Sequence, residues 1–191
     1  MTDIPVHHLI YGQCLDYITG QQLVDTDDER RRQELARLMV EEKGWPKEDI
    51  EMRLTIETLF NRHFVTSKIT MVLGMDGRQC LLVRYAPGSL VTRERSAVAA
   101  ARVLHADYQI PLAVVTNGCD AELLDTYSGA VVGRGMAALP SREEVARMMA
   151  GLRFAPYDPK KRQRELRILN AFDVEICCAG GPCALPNVKE G

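Results

Sequence analysis

Two sets of side chains in this 191-residue sequence could carry chemistry. The first is cationic. Residues 51–102 hold eight Arg and Lys against four Asp and Glu, a net of +4, whereas residues 1–50 hold six against eleven. Lys68, Arg84, Arg93, Arg95 and Arg102 belong to that basic quarter, and Tyr85 lies among them. Such groups neutralise phosphates, and a phenol ring can stack on a base, so the pattern suits DNA, RNA or another phosphate-rich partner. The plainer reading puts these arginines on solvated faces of strands and a helix. The second set is acidic. Glu51, Asp76 and Glu94 could ligate a hard cation such as Mg2+ wherever the fold makes them converge. Against this, Asp76 is the natural first residue of an Asp-Gly turn, and Glu94 is flanked by Arg93 and Arg95.

Other chemistry is thinly represented. Cys177, Cys178 and Cys183 form CC-x4-C, and a zinc site there would have to borrow Cys14, His7 or His8. Their plain reading is exposed thiols on a loop-like tail. His63 and His105 stand singly, and the sequence contains no GxSxG, P-loop or GxGxxG pattern.

The elements that position these residues follow from capping and periodicity. Thr26-x-x-Glu29 reads as a capping box for a helix over about 27–43, with Leu35, Leu38 and Met39 on one face and Gly44 and Pro46 as the stop. Residues 50–57 alternate apolar and polar, which predicts one half-buried strand over 50–60. Two more strands, "FVTSKITMVL" and "QCLLVRY", flank the Asp76-Gly77 turn and complete a three-stranded antiparallel meander. An alanine-rich crossover helix of about four turns, "RERSAVAAARVLHADY", leads to a buried strand, "PLAVVTNG". A short hairpin is expected around "AELLDTYSGAVVG", then a helix capped at Ser141 and a basic helix begun by Asp158-Pro159. The chain divides into an N-terminal extension with a short hairpin (1–24), a core (25–140), C-terminal helices packed on it (141–174) and a cysteine-containing tail (175–191). The expected class is α/β, a mixed sheet flanked by helices. With no apolar run of about 18 residues and no signal-like leader, the expectation is a cytoplasmic protein with reduced thiols and no membrane partner.

This order of elements resembles the restriction-endonuclease-like fold of the PD-(D/E)xK superfamily. More narrowly, the chain resembles the N-terminal nuclease domain of type I restriction enzyme R subunits. "TDDERRRQELARLMVEEKGWPKEDIE" matches that family's opening acidic and arginine-bearing helix. "VLGMDGRQCLLVRYAPGSL" stands for "vvfd.dGkp.llvEcKaPg", and "IPLAVVTNGCDAELLDTYSG" for "apyvvvTNG…vlD..tG". The resemblance implies a Mg2+-dependent nuclease, in which an aspartate and a glutamate hold the metal and a lysine two residues after the glutamate orients the attacking water.

Carried over position by position, the ligands are gone. The glutamate after the first helix falls on Arg53, the aspartate on Lys68, the second glutamate on Val83 and the lysine on Tyr85. A one-residue slip replaces none of the acids near 68 or 83. The resemblance therefore implies a catalytically inactive domain without a cofactor, binding nucleic acid or another phosphate-rich partner through Lys68, Arg84, Tyr85, Arg93, Arg95 and Arg102. Two other readings stand beside it: a Mg2+-dependent endonuclease with migrated carboxylates, and a protein-interaction scaffold that keeps only the fold.

Overall fold

A computed structural model describes residues 10–60 and 63–173. The tail cysteines 177, 178 and 183, and His7 and His8, lie outside those residues. The chain opens with a hairpin, β1 (Ile10–Leu15) and β2 (Gln22–Thr26), paired antiparallel. Its connection is organised by Asp16, whose Oδ1 accepts from Ile18 N–H at 2.9 Å and Thr19 N–H at 2.6 Å. Helix α1 (Asp27–Glu41) follows, with Thr26 as N-cap accepting from Glu29 N–H. Only half of the expected capping box forms, because the Glu29 carboxylate turns elsewhere. After α1, Gly44 at φ +71 reverses the chain, and Trp45 enters the core fully buried, its indole N–H donating to Pro140 carbonyl at 3.2 Å.

The strand expected over 50–60 is two strands, β3 (Ile50–Met52) and β4 (Thr55–Phe60), and that expected over 64–73 is β5 (His63–Lys68) and β6 (Met71–Met75). The physical cause is a corner. Arg53 adopts φ +58, a left-handed conformation that ends an extended run. Arg53 N–H donates to Thr70 carbonyl at 3.0 Å and Ile69 N–H to Leu54 carbonyl at 2.8 Å, so pairing continues around the bend. Beyond it β4 and β5 pair only with each other, forming an arm.

Asp76 and Gly77, at φ +53 and +74, make the expected tight turn into β7 (Arg78–Tyr85). Helix α2 (Val91–Val103) crosses over to β8 (Leu112–Thr116), which pairs with β7 in parallel. β9 (Ala121–Asp125) and β10 (Val131–Arg134) extend the sheet, giving the order β10-β9-β8-β7-β6-β3. A true capping box between Ser141 and Glu144 starts α3 (Arg142–Met148), and α4 (Pro159–Asp173) closes the described chain.

This is the expected restriction-endonuclease-like core, a mixed sheet with helices on both faces. Strand alternation divides it. Val83 and its neighbours Met71 and Val114 pack with Leu35, Ala36 and Met39 of α1, while Leu82 and Val115 pack with Ala97–Ala101 of α2 and Leu169 of α4. None of the described helices is long and apolar enough to cross a membrane.

Candidate site at the sheet corner

The end of β7 decides which side chains meet. Val83 is fully buried, opposite Met71 on one side and Val114 on the other. Two residues on, Tyr85 emerges on the same face, half-buried under α1. Its N–H donates to Thr70 Oγ1 at 2.8 Å, and its hydroxyl reaches Asp28 at 3.4 Å. Burial and the Asp28 charge raise the Tyr85 pKa, so the phenol is neutral. A cavity of about 240 Å³ opens beside the ring, with Glu29, Arg32, Arg53, Lys68 and Ile69 in its walls.

Arg53 dominates that cavity. Its Nη1 lies 2.5 Å from Asp16 and its Nη2 2.5 Å from Glu29, so one guanidinium bridges the N-terminal hairpin and the first turn of α1. The Gln33 amide links the same two acids, donating to Asp16 at 3.1 Å and Glu29 at 2.7 Å. Burial opposes ionisation of Asp16, but the Thr19 N–H, the Gln33 amide and Arg53 overcome it and hold the carboxyl at about 2. Burial also works against the Arg53 charge, and its bonds to Asp16 and Glu29 outweigh that and raise its pKa. Arg32 adds ion pairs to Glu29 at 3.4 Å and Asp28 at 3.9 Å. Asp16 and Glu29 lie below and the cations above: side-chain exposure is 0% for Asp16 and 9% for Glu29, but 30% for Arg53 and 28% for Arg32, and Lys68 is exposed; Asp28, at 25%, sits at the level of Arg32 but outside the cavity walls.

With this geometry in view, comparison with protein families gives one match. The model of the type I restriction enzyme R protein N terminus fits residues 27–140, more than half of the chain. The chain belongs to that family. No curated protein and no solved structure gave a match. The stretch matched to the R protein N terminus contains Glu29, Arg53, Lys68, Val83 and Tyr85; Asp16 and the whole of α4 lie outside it.

The corner does not fit Mg2+. A hard divalent cation is held by several oxygens, with carboxylates prominent among them. Val83 offers none, Tyr85 offers a neutral phenol, Lys68 is a cation, and the Thr70 hydroxyl is engaged by Tyr85 N–H. The two deep carboxylates, Asp16 and Glu29, already share the Arg53 guanidinium. The β6–β7 register also sets Met71 and Thr70 beside Val83 and Tyr85, while Lys68 pairs with Thr55 at the root of the arm.

Nor do Glu51, Asp76 and Glu94 converge on one another; Glu94 lies instead against Glu122 of β9, whose pKa is raised by burial and by Glu94, and which pairs with Arg134 at 2.9 Å. Asp76 sits in the turn before β7 and Glu94 in the first turn of α2, at opposite ends of an eight-residue strand, roughly 23 Å apart along it. Glu51 accepts from Gln79 at 2.7 Å, near the Asp76 end. Among the described residues no group of three or more His, Cys, Asp or Glu could hold a metal ion. A larger cavity, about 670 Å³, runs along β3 past Glu51, Gln79 and His105. His105 bonds Gln79 at 2.6 Å, and burial lowers its pKa against the opposing charges of Glu51 and Asp107.

The basic residues of the second quarter divide between two faces. Lys68 and Tyr85 are in the corner cavity, whereas Arg84 points the other way and donates to Ser96 Oγ at 3.0 Å beneath α2. Arg95 and Arg102 both pair with Glu165 of α4, at 2.8 and 3.2 Å, and Arg93 is half-buried in the first turn of α2. Sequence reasoning missed Asp16 and Glu29. Glu29 had a visible signal, since it shares a helix face with Gln33 and Ala36 and that face is buried. Asp16 had none, because its role depends on a contact with Arg53 across 37 residues.

Proposed function

We propose that this R-protein N-terminal domain is catalytically inactive and binds nucleic acid, or another phosphate-rich partner, at the sheet corner. The observation that carries the reading is the layering of charge at Arg53. Asp16 and Glu29 are buried beneath it and bonded to it, and the cations that line the cavity are Arg53, Arg32 and Lys68, beside the Tyr85 ring. Carried over onto the superfamily's motif, the carboxylate positions are an arginine, a lysine and a valine, and the lysine position is a tyrosine. A phosphate can be met by guanidinium and ammonium groups directly, with no bridging cation, and a base can lie on the phenol ring.

Two measurements test the two halves. Fluorescence anisotropy with short labelled DNA and RNA across a KCl series should show affinity falling steeply with salt. Arg32→Glu combined with Lys68→Glu should weaken binding by roughly tenfold or more. Absence of binding at the lowest salt, or indifference to the double charge reversal, defeats the binding half. Incubation of plasmid with Mg2+ or Mn2+ should leave it intact. Cleavage that persists through repurification and disappears in Glu29→Gln defeats the claim of inactivity.

A further inference from the structure

We infer that Arg53 stands in for the divalent cation: the chain supplies, covalently, the positive charge that two buried carboxylates at this corner require. The inference rests on the reading of the corner as catalytically silent, and goes beyond it by saying what supplies the positive charge that a metal would bring.

Asp16 and Glu29 both direct an oxygen at the same point. Two carboxylates converging in a buried site cannot both stay ionised unless a cation lies between them. A metal ion answers that demand in one way, and the Arg53 guanidinium answers it in another, with its two Nη atoms each 2.5 Å from a different acid. Gln33 completes the arrangement by donating to both acids, the orienting role that an outer-sphere amide plays around a metal.

The backbone records the cost of this placement. Arg53 is one of two non-glycine residues with positive φ among the described residues, the other being Asp76 in its tight turn. Only Gly takes that conformation without steric cost, so an arginine there is held by what its side chain does. The corner it creates also throws β4 and β5 out of the main sheet. A single residue thus bends the hairpin, neutralises two buried acids and ties the N-terminal hairpin to α1.

A resident guanidinium differs from Mg2+ in ways that can be measured. It cannot be stripped by a chelator, it cannot be exchanged, and it leaves no vacancy for an added ion. Thermal unfolding of the full chain should therefore be unmoved by EDTA or by Mg2+, Mn2+ and Ca2+. In Arg53→Gly, which removes the cation and suits the left-handed backbone, the midpoint should fall in metal-free buffer and recover by several degrees, saturably, with Mn2+. Loss of the free-Mn2+ electron paramagnetic resonance signal should report one bound ion in that variant and none in the wild type, and Glu29→Gln in the Arg53→Gly background should abolish the uptake. Arg53→Lys keeps a cation, and is expected to fold without any Mn2+ response, which preserves the test if Arg53→Gly does not fold. Mn2+ uptake by the wild type or by Arg53→Lys overturns the inference, as does a folded Arg53→Gly protein indifferent to all three ions. These outcomes are separate from nucleic-acid binding: an unresponsive Arg53→Gly protein leaves the proposed function standing, and wild type that fails to bind DNA or RNA leaves the cation replacement standing.

Discussion

The two faces of the sheet carry inverse ion clusters. Under α1, one guanidinium, Arg53, serves two carboxylates, Asp16 and Glu29. Under α2 and α4, one carboxylate, Glu165, serves two guanidiniums, Arg95 and Arg102, and accepts from the Tyr157 hydroxyl at 2.8 Å. The Glu165 side chain is 2% exposed and Arg102 12%, and Arg102 also donates to the Thr126 and Tyr127 carbonyls at 2.8 and 3.0 Å. Burial alone would raise the Glu165 pKa, but Arg95 and Tyr157 bond its charged form and lower it. The Glu165 carboxylate lies beneath its donors: Oε1 accepts from Arg95, Arg102 and Tyr157, and Oε2 meets Arg95 as an ion pair at 2.8 Å. A guanidinium lying over its acids keeps an outer side. The same ingredients therefore make a fastener on one face and a site on the other, and each lies partly within the stretch matched to the family, which contains Arg95 and Arg102 of the first and Glu29 and Arg53 of the second.

Changes that remove the central residue of each cluster separate these roles most strongly. Glu165→Ala leaves two guanidiniums facing each other under α4 and should cost ~3–5 kcal/mol, the range for breaking a buried pair from one side, read as a shifted midpoint in urea unfolding. A loss below ~1 kcal/mol would mean that α4 is held by apolar contacts alone, and the comparison would fail on that side. Arg53→Ala should cost less, ~3 kcal/mol, because the acids it uncovers can take up protons or water at the cavity. Arg53→Gly should recover ~1 kcal/mol of that through relief of the left-handed backbone. Equal losses for the two variants would show that the corner is unstrained.

How much of this could be read beforehand differs along the chain. The helices, the Asp76-Gly77 turn and the parallel return into β8 are local or nearly local in origin, set by caps, turn residues and periodicity, and they were legible. The corner was not. Residues 50–57 alternate without interruption, so nothing in the pattern marks Arg53 as the place where the strand ends; the bend comes with a side chain that reaches two acids on other elements. Charge counting found the basic quarter but not its arrangement, because a strand sends Arg84 and Tyr85 to opposite faces and a helix face delivers Arg95 and Arg102 to Glu165, about 65 residues away. Net charge in a segment reports the number of cations, and only the fold shows which of them are already neutralised.

The acid limb of stability sharpens the comparison at a smaller scale. Asp16 titrates at about 2 in the folded protein against an ordinary value of 3.8, so on acidification the unfolded chain takes up this proton first. The stability contributed by the ionised carboxyl is complete above the ordinary value and drains away as pH falls from there through about 2. Asp16→Asn should lower stability at neutral pH and flatten the decline across that window. Glu165 is lowered as well, so the quantity to compare is the difference between wild-type and Asp16→Asn unfolding curves at each pH, and a difference independent of pH across the window would show that Asp16 carries no charge worth protecting.

The smallest expected effect belongs to Tyr85→Phe. The Tyr85 hydroxyl meets Asp28 at 3.4 Å, near the limit of a hydrogen bond, on a ring that is only half-buried. Its loss should change unfolding free energy by ~0.5 kcal/mol or less. What the substitution keeps is the ring, and if the corner recognises a base by stacking, DNA or RNA affinity in Tyr85→Phe should stay within about twofold of wild type while Tyr85→Ala loses roughly tenfold. If Phe and Ala lose affinity equally, the hydroxyl and not the ring face is what the partner meets. The open side of the Arg53 cluster would then be a polar anion site rather than a platform for a base, and it would resemble the Glu165 cluster more than its exposure suggests.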